Sequence, residues 1–219
     1  MTVFESVRQM VLYTFMSLPL MLIAFLAFMS LALGNVGMII LLLGHLFVVP
    51  VAVTILHFLS YIIPEPFRTV AAKDICNFIP SFPSSSLNIN VTPSYWMAHF
   101  LFFMGYFLQN AQTLIQKSAE SGAPKERVNL RKSQGMTAMV VGIVVTLAII
   151  FARYKLTGCE NSSFIGILVA AVTMVPLGVG WYMMAVTAGA RDGDIFGIAG
   201  RIMPLSALAP PPMTCLYSA

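Results

Sequence analysis

The chain holds three histidines, and two of them, His45 and His57, fall within one long apolar segment. Imidazole titrates near neutrality and is a common metal ligand, and an ionisable group at membrane depth is a functional candidate by default. Twelve residues apart, the two rings stand about 120° out of phase on a straight helix, and Pro50 lies between them to alter that. No acidic residue sits within the apolar segments to complete a proton relay, and no third ligand lies at metal spacing. The expected role of each is therefore an imidazole hydrogen-bonded to a neighbouring helix. The third histidine, His99, follows Tyr95 and Trp96 near the start of another apolar stretch that closes on Gln109, Asn110 and Gln112. Polar groups at the two ends of a stretch about 31 Å long are expected at the headgroup level, as interfacial anchors on a packed helix.

Other reactive patterns do not assemble. The chain lacks GxSxG, HExxH and CxxC, and the glycine-rich GARDGDIFG, residues 189–197, has neither calcium-loop spacing nor a phosphate-loop lysine. Arg191 with Asp192 or Asp194 is expected to form a local turn and ion pair there. No catalytic residue, cofactor site or metal site is assigned, and the expectation is a protein that is not an enzyme.

The elements that would position these residues are read from hydropathy. The 219 residues are 58% hydrophobic and only 9% charged, against about one quarter charged in an ordinary globular protein. The apolar residues come in blocks of about 20, the length of a transmembrane helix. Five spans are expected: residues 10–33, 38–63, 94–114, 136–151 and 164–188. The fold class is all-α, a polytopic transmembrane helical bundle. Residues 1–63 form an N-terminal helical hairpin turned at Gly34-Asn35-Val36-Gly37, and Pro64-Glu65-Pro66 ends it. An outer loop over 64–93 follows, with a short interfacial helix expected at 67–78. Residues 94–188 hold three transmembrane helices with a basic loop at 116–135, and 189–219 form a Gly/Pro-rich tail. Arg153 and Lys155 are expected to snorkel and lengthen the short fourth span. Gly178 and Gly180 are candidates for close helix contacts. Acidic Glu5 stands where a signal peptide would carry a basic n-region, so the first helix is expected to be retained.

Loop charge sets the orientation. The loop with Lys117, Lys125, Arg127, Arg131 and Lys132 is the most basic and is placed on the cytosolic side. Lys125, Arg127, Arg131 and Lys132 are candidates for contact with lipid headgroups or a partner. Alternation puts the N-terminus outside and the C-terminus inside. Cys76 and Cys159 then share the outer side and are expected to form a disulfide, while Cys215 lies opposite. Asn161, in Asn-Ser-Ser, is a candidate glycosylation site on that side, and Asn90, in Asn-Val-Thr followed by Pro93, is a weaker one. The basic residues are spread over several loops, so no direct nucleic-acid contact is expected.

The runs PSYWMAHFLFFMGYFLQNA, VNLRKSQG, RYKLTGCE, GARDGDIFGI and PPMTCLYS, covering roughly residues 93–219, resemble small multi-span membrane proteins of large nucleocytoplasmic DNA viruses of algae and protists. The resemblance implies an integral protein of the virion inner membrane, in contact with lipids and with minor capsid or other virion membrane proteins. It brings no catalytic residue. The expected function is structural, with a small transporter or channel using His45 and His57 as the alternative.

Overall fold

The computed structural model describes residues 3–60, 93–117, 125–157 and 164–188. Cys76, Asn90, Cys159, Asn161, the expected helix at 67–78 and the tail from 189 lie outside the described residues. Every described element is helical. The first rod is α1 (Val3–Leu33). The second is α2 (Val36–Leu43), a π-turn over Gly44–Val48 and α3 (Val49–Ser60). Then come α4 (Tyr95–Gln116), α5 (Lys125–Ala152), which ends in a second π-turn at Arg153–Thr157, and α6 (Phe164–Thr187). The all-α bundle read from hydropathy is the fold.

Among the described residues, three stretches are long and apolar enough to cross a membrane: Val36–Leu59, Val128–Lys155 and Ile165–Thr187. Their large apolar side chains stand exposed, among them Phe47, Val51 and Phe58 on the second rod and Val144, Leu147 and Phe151 on α5. An apolar surface of this extent has no place in water and suggests a membrane protein. In α1 the apolar part is shorter, Ser17–Ala32. Of the five expected spans, α4 is the one that departs most. It is sheathed by the other helices, with Trp96 through Leu101 and Met104 through Tyr106 buried except for small residual exposure. A helix covered by protein rather than lipid can keep His99, Gln109 and Asn110 where a lipid-facing helix could not.

Local chemistry sets the ends. Gly34 takes φ +58°, a left-handed conformation cheap only for glycine, and so turns α1 back on α2. Asn35 caps α2 by accepting from the Gly37 N–H at 2.9 Å, and Ser94 caps α4 by accepting from Met97. The sequence placed a loop over 116–135, but α5 is already helical from Lys125. The run KERVNLRK is made mostly of good helix formers and follows a proline, the residue best tolerated at a helix start. Arg131 then fastens this extension: its guanidinium donates to the Lys117 carbonyl at the end of α4.

Candidate functional site

The packing that builds the site begins with glycine. A Cβ at Gly105 would collide with the Val175 carbonyl, and one at Gly178 with the Phe102 carbonyl, so α4 and α6 meet backbone to backbone. On α5, Gly142 and Gly135 instead make room for side chains of α4, the Phe107 ring and Ile115. Of the two glycines singled out on α6, only Gly178 is at an interface. Gly180 is exposed and faces open space.

Three aromatic hydrogen bonds then lock the N-terminal hairpin onto α4 and α6. Tyr106 donates its hydroxyl to the Gly37 carbonyl at 3.2 Å, and its ring meets Tyr182 edge-on. The Trp181 indole N–H donates to the Ile40 carbonyl at 2.8 Å. The Trp96 indole N–H donates to the Phe15 carbonyl at 3.2 Å. That last carbonyl would normally receive the N–H four residues on, but the residue there is Pro19, which has none. Trp96 thus supplies from another helix the donor that the proline removed, as membrane helices require.

Between these bonds sits the polar centre. Pro50 has no N–H and its ring crowds the preceding turn, and just before it the backbone widens into the π-turn, where Val49 donates five residues back to Gly44. Gly44 and His45 are buried in that turn while Leu46 and Phe47 face out. A side chain at 44 would meet the Trp181 Nε1 at 2.6 Å and the Phe102 ring at 2.7 Å, which is why only glycine fits. His45 Nδ1 lies 3.0 Å from His99 Nδ1, and Phe102 covers the His45 ring edge-on.

The two imidazole planes are 13° apart with centres 5.3 Å apart. Since each nitrogen lies about 1.2 Å from its ring centre, an in-line N–H···N bond of normal length would place the centres about 5.4 Å apart. The rings are therefore edge to edge in one plane, not face to face. One Nδ1 carries the proton and the other receives it, which fixes both tautomers. His45 Nε2 is buried with no hydrogen-bond partner among the described residues. A bare acceptor there costs less than an orphaned N–H, which favours the tautomer in which His45 donates from Nδ1 and His99 keeps its proton on Nε2. A metal ion on the line between the two nitrogens would need them about 4 Å apart. Among the described residues no group of three His, Cys, Asp or Glu could hold a metal.

The structure corrects several expectations. His99 is not a headgroup anchor: it is nearly fully buried and bonded to His45. His57 does not join His45; it lies half-buried beyond Pro50, against Phe58. Arg153 does not snorkel. It is fully buried, with its guanidinium 4.3 Å from the centre of the Trp96 ring, a cation–π contact whose strength grows out of water. Lys155, in contrast, is exposed beside Tyr154. Of the basic candidates, Lys125 and Lys132 are exposed and Arg131 is half-buried; the Arg127 side chain lies outside the described residues. Sequence reasoning missed the His45–His99 pair because 54 residues separate its members. The available signal was a π-prone Gly-His before Pro50 beside a second histidine in a helix too polar to face lipid.

Comparison with protein-family models, with curated proteins and with solved structures finds no match.

Proposed function

We propose that the chain is a structural integral membrane protein whose bundle organises the membrane around it or tethers that membrane to a protein layer. The observation that carries this reading is how the polar groups inside the bundle are used. Tyr106, Trp96, Trp181, His45 and His99 are each committed to a bond between helices, around an α4–α6 contact made at backbone distance. Such interlocking rigidifies a bundle, and close-packed interiors resist deformation. The resemblance of residues 93–219 supports placing the protein in a viral inner membrane derived from the host, with minor capsid or other virion membrane proteins as partners.

A second reading, a small transporter or channel, draws on the buried imidazole pair. That pair is His45 with His99, not His45 with His57. Liposome reconstitution separates the two. The structural reading expects pure protein to leave imposed proton and cation gradients intact. A flux abolished by His45→Phe would replace it with the transporter reading. Crosslinking in the native membrane, followed by peptide mapping, tests the tether: neighbours from a protein layer are expected, and recovery of lipid adducts alone would remove it.

A further inference from the structure

We propose that the exposed lysines of the α5 extension form a binding surface for anionic phospholipid headgroups. The inference rests on the membrane reading above. At 100° per residue, Lys125, Lys132, Met136, Ile143 and Leu147 fall within about 60° of one another on α5. All five are exposed. The lysines therefore continue, down one helix face, the stripe that Met136, Ile143 and Leu147 present to lipid. Counting about 30 Å of hydrocarbon along the helix from Phe151 at 1.5 Å per residue reaches about residue 131. Lys132 stands at that boundary, and Lys125 lies about 10 Å further out, within the headgroup layer given the reach of its side chain.

Helical structure makes this a surface rather than a charged loop. Arg131 lies on another side of α5 and is spent on the Lys117 carbonyl, which ties the extension to α4 and holds its direction. Glu126, the acidic residue of the first turn, is one position round from Lys125 and off the shared face. Two ammonium groups on a fixed face directly beneath lipid-facing side chains offer cationic partners to the phosphates and carboxylates of lipids such as phosphatidylserine. The face is continuous with the apolar belt, and that favours a ligand carrying acyl chains over a free phosphate or an acidic protein.

Native mass spectrometry of the full chain in neutral detergent, titrated with phosphatidylserine or phosphatidylcholine, tests the proposal. Wild-type protein is expected to bind phosphatidylserine in preference. Each lysine near the surface is worth about fivefold, so Lys125→Gln with Lys132→Gln should weaken that binding about 25-fold. Lys155→Gln, at the far end of the same rod, should leave it unchanged. Equal affinity for the two lipids, or an equal loss in Lys155→Gln, would overturn the proposal. Competition by soluble glycerophosphoserine as effective as the lipid itself would also overturn it, in favour of a free-phosphate site, and an acidic peptide displacing the lipid stoichiometrically would do so in favour of a protein partner. Failure of the membrane reading is distinguishable, since the protein would then be monodisperse without detergent.

Discussion

Two glycines of α6 separated by a single residue give the sharpest test of the packing argument. Gly178 faces α4, and a Cβ there would strike the Phe102 carbonyl and come within 2.9 Å of the Tyr106 nitrogen. Both are backbone atoms, so no side-chain rotation relieves the clash. Gly180 faces open space. Gly178→Ala therefore has to push α4 and α6 about 1 Å apart, and a gap of that size forfeits a quarter to a half of each dispersion contact across it. About 40 atom pairs at about 0.15 kcal/mol each make the loss about 2 kcal/mol, within the usual range for overpacking a core. Gly180→Ala meets nothing and exchanges glycine for the best helix former, so it should be neutral or stabilising by up to about 1 kcal/mol. Thermal unfolding of the two variants in the same detergent should show Gly178→Ala about 4–8 °C below wild type and Gly180→Ala at or above it. Equal midpoints for the two would refute the backbone-contact geometry of α4 and α6.

Three further outcomes follow from the same structure. His45→Phe should cost about 1–3 kcal/mol by stranding His99, while His45→Phe with His99→Phe should recover most of it; a strictly additive double-mutant cycle would mean that the two rings do not share a bond. Trp96→Phe removes the donor to the Phe15 carbonyl and should cost about 1 kcal/mol, and less in a Pro19→Leu background, where the helix supplies its own N–H; the same cost in both backgrounds, measured by unfolding, contradicts the proposed substitution of donors. Cys76 and Cys159 are expected to be linked, and mass spectrometry of non-reduced peptides finding both thiols free would end that expectation.

The physical basis of these predictions also separates what composition dictates from what packing decides. Apolar blocks of about 20 residues specify helices because a lipid interior leaves backbone groups no partner except one another, so the rods and the turn at Gly34-Asn35 were legible from the chain alone. The start of α5 at Lys125 was not, because its charges read as a loop while their helix propensity, and the Arg131 bond to Lys117, favour helix. Which polar residues matter was decided only in three dimensions. His57 and His45 share a segment, yet it is His99, in another helix, that completes the bond. Arg153 looked like a snorkelling cation, but Trp96 covers it. Hydropathy reports the solvent that a segment tolerates, a property of that segment by itself. A hydrogen bond or a backbone contact between helices belongs to two segments at once, and only their docking brings it into being.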